Sequence, residues 1–285
     1  MTIGADVGEM MTGTRITKTF KSILFYAGTI ALCVPPVFVF VWMILTGLKT
    51  GVQNIAYPPE FIFVPTLENF RAVFQQYNFF RYLVNSLIIA GFATGISLVV
   101  GLPAAYSIAK YRQGKIGLMI LVARMTPFVS YLLPWYIIFR YLKLIDTYMA
   151  LTITHLIITL PMVIWLMVSF FESVPTELED AAMIDGCSRL QSFLIIVLPL
   201  VRNGIATSAI ISFIFSWNQF LFSLILSGPK TKTVPVAVYN FISYGKIDWA
   251  GIGAAATLIV LPVSVFAFFV RRTIVQGLTM GALKE

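Results

Sequence analysis

Residues 173–199 read SVPTELEDAAMIDGCSRLQSFLIIVLP. This largely polar run lies between two apolar stretches, residues 149–171 and 201–226. A helix that crosses a bilayer needs about 20 mostly apolar residues, and both stretches are long enough. Residues 172–200 are therefore predicted to form a folded loop that joins two membrane spans.

The loop carries start and stop signals for two short helices. Thr176 followed by Glu179 fits a capping box, and Gly186 lies where a left-handed C-terminal cap is expected. Ser188 with Gln191 fits a second capping box. We expect one short helix that ends at the glycine and a second that leads into the next span.

The first short helix has a face of its own. Its spacing puts Leu178, Ala181, Ala182 and Asp185 on one side of the helix. This face is small and mildly apolar, which suits docking into a cleft of another protein. A capped helix that lies on the bilayer surface is an alternative that these residues leave open.

The composition of the whole chain agrees with a membrane protein. Of 285 residues, 59% are hydrophobic and 11% are charged, whereas soluble domains carry about 25% charged residues. The net charge of +8 comes from short basic clusters between apolar stretches, which is not the pattern of a nucleic-acid-binding face. Cys33 and Cys187 suggest neither a disulfide framework nor a metal site.

Six apolar stretches are long enough to span a bilayer, and none contains Asp or Glu. Backbone groups must be paired within lipid, so the expected fold is all-α, a polytopic membrane protein with six transmembrane helices. We divide the chain into an N-terminal segment (1–22), a transmembrane domain (23–274) and a C-terminal tail (275–285). The predicted spans are residues 23–48, 83–109, 116–139, 149–171, 201–226 and 252–270.

Basic residues predict the orientation. Lys110, Arg112 and Lys115 lie between the second and third stretches, and Arg271 and Arg272 follow the last one. Loops that abut spans and carry Lys and Arg face the cytoplasm. The loop 172–200 and both termini are then cytoplasmic, in a cell inner (plasma) membrane.

The loop resembles the signature of binding-protein-dependent ABC importer permeases. Residues 180–186 (DAAMIDG) are followed, nine residues later, by residues 196–199 (IVLP). The family pattern usually begins with Glu, whereas this chain has Asp180 preceded by Glu179. Other motifs resemble the carbohydrate-uptake branch and its six-span, maltose-type permease subunit: residues 85–86 (NS), 101–106 (GLPAAY), 124–127 (RMTP), 144–148 (LIDTY), 215–220 (FSWNQF) and 277–282 (GLTMGA).

The resemblance implies a type I ABC importer permease fold in which the loop is a coupling helix docked on an ATPase subunit. The implied partners are a second homologous permease, two ATP-binding-cassette ATPases and a periplasmic or lipid-tethered sugar-binding protein, in contact with membrane lipid and not with nucleic acid. The coupling residues are then Glu177, Leu178, Glu179, Asp180, Ala181, Ala182, Asp185 and Gly186.

The chain itself is expected to catalyse nothing. It has no nucleotide-binding loop of the form GxxxxGK(S/T), so it is not an ATPase. We expect no cofactor or metal in this chain, with ATP and Mg bound by the partner ATPase subunits.

Solute and binding-protein contacts are the least specific predictions. Polar groups at membrane depth are costly unless paired, so they are candidates for a substrate pathway or for helix–helix hydrogen bonds. The pathway candidates are Asn85, Trp217, Asn218 and Gln219. The candidates for contact with the binding protein are Tyr239, Tyr244 and Lys246, in a loop that is otherwise a plain connection.

Two other classes remain as alternatives. An ion-coupled secondary transporter usually places ionisable residues inside its spans, and the six stretches contain no acidic residue. A membrane-embedded hydrolase needs a nucleophile with a base or a set of metal ligands, and His155, expected to be buried and structural, is the single histidine.

Overall fold

The computed structural model describes the backbone of residues 4–76, 78–243 and 246–280. Side chains are described for residues 21–76, 78–239, 241–242, 247–265 and 268. This part of the chain is mostly helical, as expected. A two-stranded antiparallel hairpin pairs Ile242 with Ile247 and Ser243 with Lys246.

The helices and strands follow one another in this order. Their bounds are α1 Gly4–Leu48, α2 Gly51–Ile55, α3 Glu68–Gln76, α4 Phe79–Lys110, α5 Gly114–Met125, α6 Val129–Tyr141, α7 Tyr148–Glu172, α8 Thr176–Ile184, α9 Arg189–Ser192, a π-helical segment Phe193–Val197, α10 Leu198–Leu200, α11 Arg202–Trp217, α12 Leu221–Leu226, α13 Val234–Ala237, a 3-10 turn Val238–Phe241, β1 Ile242–Ser243, β2 Lys246–Ile247 and α14 Trp249–Met280.

Three single helices of the described chain are long and apolar enough to cross a membrane: Lys21–Leu48, Phe79–Lys110 and Tyr148–Glu172. They coincide with the first, second and fourth predicted spans. The first begins inside α1, which extends back to Gly4 and so continues into the predicted N-terminal segment. Residues 1–3 and 281–285 of the two terminal segments lie outside the described residues.

The third and fifth predicted spans are not single helices. α5 and α6 form a pair bent by 87°, with Pro127 in the break between them. The helical run Arg189–Leu200 meets α11 at 78°, and α11 is separated from α12 by residues 218–220. If each bent pair is one span, the described chain has up to five spans. The sixth prediction, 252–270, falls in α14, whose apolar part in the described chain is Trp249–Val265.

One compact unit contains residues 1–70 and 249–257. Within it, the start of α14 touches the end of α1 backbone to backbone, because a Cβ on Gly253 would lie 2.6 Å from the Gly47 nitrogen. The Asn69 amide donates to the carbonyls of Gly47 and Lys49, at 2.7 and 2.8 Å. These bonds occupy carbonyl groups that the end of α1 leaves free.

The second unit contains residues 71–248 and 258–285. Its centre is α7, which packs against α4 and α11. Buried hydroxyls join the helices, since the oxygens of Ser97 and Thr159 are 2.6 Å apart. At one end of α7 a core forms around Met167, Phe171 and Phe193, and at the other end around Leu151 and Phe222. The loop that follows α7 is therefore anchored in a packed core.

Candidate functional site

Helix α8 begins at Thr176, but not with the predicted capping box. The N-cap residue is Pro175, which has no side-chain cap, so Thr176 is the first helical residue. The prediction was wrong because the helix starts one residue earlier than the pattern placed it, and the Glu179 side chain does not pair with the helix start. Its carboxylate bonds to side chains of α4 instead.

The end of α8 is a Schellman turn built on Gly186. This residue has φ +91°, a left-handed conformation that favours glycine. The Gly186 N–H donates to the Met183 carbonyl at 3.1 Å, and the Cys187 N–H donates to the Ala182 carbonyl at 2.9 Å. These two bonds satisfy carbonyls at the helix end, and the predicted glycine cap is confirmed.

The second capping box is also confirmed. The Gln191 N–H donates to the Ser188 hydroxyl at 3.3 Å, and the Ser188 N–H donates to Gln191 Oε1 at 2.8 Å. The helix that starts here passes through the π-helical segment and ends at Leu200, before the bend at Val201. It therefore does not run straight into α11.

Substitution Ser188→Ala is expected to fray α9 without undocking it. Loss of an N-cap side chain costs about 1 kcal/mol, which corresponds to about fivefold faster hydrogen exchange of the α9 amides. Ser173→Ala is the matched control, because the Ser173 hydroxyl donates to the Phe170 carbonyl and caps no helix start. Equal exchange rates in the two variants would contradict the capping role.

Glu179 fixes α8 to the end of α4. Its carboxylate forms an ion pair with Lys110 and accepts a hydrogen bond from the Tyr106 hydroxyl at 2.5 Å. The Lys110 ammonium also donates to the Tyr106 oxygen at 2.9 Å. The Tyr106 ring packs against Phe193 and Phe171, with centroids 4.8 and 5.7 Å apart. Glu179, Lys110 and Tyr106 thus form a polar triad that lies beside the two phenylalanine rings. This triad joins α8 to α4, α7 and the π-helical segment.

The predicted coupling residues divide between two sides of α8. Glu179 and Ala182 are buried against the rest of the chain. Leu178 is 44% exposed, and Ile184, which sequence reasoning missed, is 86% exposed. In the predicted face of α8, Ala182 is buried while the other members are exposed, and the docking role of this face stays a prediction. The other exposed members are Glu177, Asp180, Ala181, Asp185 and Gly186.

A second cluster of polar contacts lies at the other end of α7, around Asp146. Its carboxylate accepts the N–H groups of Gly228 (2.9 Å), Lys230 (3.2 Å) and Thr231 (2.9 Å), and the Thr231 hydroxyl at 2.8 Å. Burial raises the pKa of this carboxyl, but the hydrogen bonds from Thr231, Lys230 and Gly228 outweigh it and hold the pKa below its usual value. Asp146 therefore clamps the loop 227–234 as a carboxylate.

Asn85 completes this clamp. Its amide nitrogen donates to the carbonyls of Lys230 and Lys232 at 3.1 and 2.9 Å. Its oxygen accepts the Tyr148 hydroxyl at 2.7 Å. The side chain is buried and its hydrogen-bonding groups are used within the chain, and the pathway role of Asn85 stays a prediction.

The other pathway candidates lie at the break between α11 and α12. Trp217 is buried and donates through Nε1 to the Ile259 carbonyl at 3.3 Å. Gln219 is buried and its oxygen accepts the Leu221 N–H at 3.0 Å. Each of the two residues makes a contact within the chain, and their pathway role stays a prediction. Asn218 is exposed, although its amide donates to the Ile214 carbonyl at 2.9 Å.

The candidates for binding-protein contact are only partly described. Tyr239 is exposed and stacks on Phe220 with ring centroids 5.7 Å apart. Tyr244 lies outside the described residues, as does the side chain of Lys246. For Tyr244 and Lys246 the role stays a prediction.

Sequence reasoning missed the anchors of both clusters. Lys110 was used only to orient the chain, and Tyr106 and Asp146 were noted only within motifs. The signal that could have found them was charge or polarity at the end of a span, where a side chain can reach a loop. In the described part of the chain no three His, Cys, Asp or Glu side chains could hold a metal ion.

Comparison with known proteins decides the family. Residues 97–280 match the family described as "binding-protein-dependent transport system inner membrane component". The chain belongs to this family. It is thus the permease of an ABC importer, as the loop motif predicted.

Curated relatives extend the match over nearly the whole permease. A probable ABC transporter permease protein of Sinorhizobium fredii, y4oR, is 39% identical over 96% of this chain and 100% of its own length. The sulfoquinovosyl glycerol transport system permease SmoH of Agrobacterium fabrum is 34% identical over 93% and 94%. The trehalose/maltose permease MalG of Thermococcus litoralis is 33% identical over 94% and 98%.

A solved structure confirms the fold of the permease. A chain from a bacterial ABC transporter that imports the acidic polysaccharide alginate superposes with a TM-score of 0.72. The match covers 91% of this chain and 97% of the other at 20% identity. The importer-permease fold predicted from the sequence is therefore confirmed.

Proposed function

We propose that this permease carries a carbohydrate, or a related polyol or glycoside, across the inner membrane at the expense of ATP hydrolysed by separate ATPase subunits. Curated relatives are named for trehalose/maltose and for sulfoquinovosyl glycerol. A relative named for diacetylchitobiose is 30% identical over 87% of this chain. The solutes in these names are all glycosides, which supports a carbohydrate or a related glycoside as the solute of this permease.

The observation that carries the mechanism is the attachment of α8. The helix presents Ile184 and Leu178 outward while Glu179 ties it to α4. An exposed apolar side chain on a firmly held helix is suited to a socket on another protein, since little ordering is needed on binding. Movement of that socket is transmitted through the triad to α4 and through the core to α7.

The proposed partners are those that the family implies. Two ATPase subunits bind ATP and Mg, a second permease completes the pathway, and a periplasmic or lipid-tethered binding protein delivers the solute. A structural neighbour was solved with a periplasmic protein bound to an alginate pentasaccharide. In this proposal α8 and both termini lie in the cytoplasm. The permease itself holds no cofactor and has no ATPase site of its own.

The proposed mechanism is a rocking movement of the helices, and no chemical step takes place within this chain. Closure of the two ATPases on ATP draws α8 with them, and the attached spans turn the cavity from the cytoplasm to the periplasm. The outward coupling contacts are then Leu178, Ile184, Asp180 and Glu177, while Glu179 and Ala182 act from behind the helix. Hydrolysis returns the helices to the first state.

Cross-linking tests the docking surface. In a chain with Cys33→Ser and Cys187→Ser, a thiol-directed cross-linker on Ile184→Cys is expected to capture the ATPase subunit of the co-expressed complex. Tyr141→Cys is the matched control, because Tyr141 is 87% exposed at the end of α6, away from α8. Equal capture from both positions, or none from Ile184→Cys, would exclude α8 as the docking element.

A transport assay tests the function itself. The complex, reconstituted with its binding protein, is expected to hydrolyse ATP faster when a matching glycoside is present. The screen covers disaccharides, glycosyl glycerols and polyols, with amino acids as the comparison class. Stimulation by amino acids alone would exclude the carbohydrate class, and solute uptake by the purified permease without ATPase subunits would exclude ATP coupling.

A further inference from the structure

The helix that follows the coupling loop is interrupted within its apolar run. α11 ends at Trp217 and α12 begins at Leu221. Within a membrane an interrupted helix leaves backbone groups that need partners. Here the Gln219 side chain receives the Leu221 N–H and the Asn218 side chain donates to the Ile214 carbonyl. The break is thus a formed structure in which side chains pair backbone groups, and α11 and α12 both pack against α7.

His155 on α7 touches both sides of this break. Its Nδ1 is 2.7 Å from the Ser216 hydroxyl in the last turn of α11. Its Nε2 is 3.4 Å from the Ser223 hydroxyl in the first turn of α12. The ring is 1% exposed, so water does not compete for these contacts. One side chain therefore reaches the end of one helix and the start of the next.

The chemistry of the three side chains suits a bridge. A neutral imidazole offers one donor and one acceptor, and each serine hydroxyl can donate or accept. Both ring nitrogens are then satisfied in either tautomer without a buried charge. The two serine hydroxyls can rotate, so they keep their hydrogen bonds when the helices shift slightly. A carboxylate–lysine pair at this depth would have a higher free-energy cost, because charged side chains are unfavourable within the membrane.

The two sides of the break belong to different parts of the second unit. α11 starts at the bend that ends the coupling loop. α12 leads into the loop 227–234, which Asp146 and Asn85 clamp. A tilt of α11 has three routes to the clamped loop: residues 218–220, helix α4, which packs on α11 and carries Asn85, and a side chain that contacts both α11 and α12. His155 has this position.

We propose that His155 is a positioning residue that joins α11 to α12 across the break, so that movement started at α8 reaches the loop 227–234. This inference rests on the proposed function for the origin of the movement. Whether His155 joins the two helices can be measured as the distance between them, without any solute. His155 contacts no solute in this scheme and donates no proton to one.

Distance measurement across the break tests the joint. Spin labels on Asn203→Cys and Leu224→Cys, with Cys33→Ser and Cys187→Ser, are placed in the complete reconstituted complex. With His155 present, we expect one narrow distance distribution that nucleotide leaves narrow. His155→Leu is expected to broaden it at least about twofold and to lower uptake per ATP hydrolysed about tenfold.

Two further variants keep the test decisive. The double variant Ser216→Ala, Ser223→Ala removes both hydrogen bonds of His155 and leaves the imidazole ring in place. It therefore tests whether His155 joins α11 to α12 even if His155→Leu does not fold. Ser97→Ala is the control, because it removes a buried hydroxyl contact between α4 and α7 that involves neither Ser216 nor Ser223. It is expected to leave the distribution narrow.

The outcomes separate this inference from the proposed function. A narrow distribution in the serine double variant, or equal broadening in Ser97→Ala, overturns the joint. If the unaltered complex transports none of the carbohydrates, the proposed function fails, and the distance distributions still decide whether His155 joins the two helices.

Discussion

Replacement of Glu179 by leucine is expected to lower solute uptake at least about tenfold while ATP hydrolysis by the complex continues. The change leaves Lys110 without its ion-pair partner and removes the acceptor of the Tyr106 hydroxyl. Loss of one partner from such a partly buried pair costs about 2–4 kcal/mol. α8 then pivots on its own, and the force on its outer face no longer reaches α4.

Uptake and ATPase activity of the same reconstituted vesicles measure this uncoupling. Glu179→Gln is the graded variant, because its amide oxygen still accepts from Tyr106 and only the charge is lost. The double exchange Lys110→Glu with Glu179→Lys is expected to recover part of the uptake, since the pair is restored in reverse. Full uptake by Glu179→Leu would show that the triad does not hold the helix.

Substitution Asp146→Ala is expected to abolish most stimulation of the ATPases by the loaded binding protein. The carboxylate accepts four hydrogen bonds from the loop 227–234, and bonds to a charged group are worth about 1.5–3 kcal/mol each. Gly228 fits tightly here, because a Cβ would lie 2.7 Å from the Asp146 carboxyl carbon. Without the clamp the loop and Tyr239 beyond it lose their fixed position.

Asp146→Asn is the matched variant for this experiment, because one amide oxygen can keep part of the four bonds. We expect intermediate stimulation, with unchanged basal ATPase activity in both variants. Equal stimulation of the alanine variant and the unaltered complex would contradict a role of the clamp in binding-protein contact.

The pH dependence of the clamp has a definite sign. The hydrogen bonds lower the pKa of Asp146 in the folded chain, so the stabilisation is present above the unfolded pKa of about 4 and is lost as pH falls through the lowered value. A nitroxide on Lys230→Cys is expected to keep its mobility from about pH 7 to about pH 5 and to loosen only in stronger acid. In the Asp146→Asn background this acid transition is expected to disappear. An increase in mobility that begins near neutral pH would contradict the lowered pKa.

Local signals predicted the ends of the coupling loop well. Gly186 and the Ser188–Gln191 pair act through backbone groups at most five residues away, so the sequence contains both partners. The Thr176 cap failed because α8 starts one residue earlier than the pattern placed it, and the Glu179 side chain bonds to Tyr106 and Lys110, about 70 residues earlier in the chain. A local pattern cannot report partners at that distance.

The number of single-helix spans was also not predictable from local sequence patterns. Length and hydropathy predicted α1, α4 and α7, whereas the bend between α5 and α6 and the break after α11 lie inside apolar stretches that length and hydropathy do not divide. Pro127 marked one bend in the sequence, but residues 218–220 (NQF) contain neither Gly nor Pro. The polar side chains there are candidates for solute contact, and in the structure the Gln219 oxygen accepts the Leu221 N–H at the start of α12.

The π-helical segment 193–197 gives the loop a place that can absorb a change in length. A π turn contains an additional residue compared with an α turn, and each residue of an α-helix turns the chain by about 100°. Five π-helical residues therefore turn the chain about as far as four α-helical ones, so deletion of a single residue here would restore regular winding and leave the flanking helices facing nearly as before. The same deletion inside α8 would rotate part of its outer face by about 100°, so the loss of one codon is expected to be tolerated in this segment and not in α8.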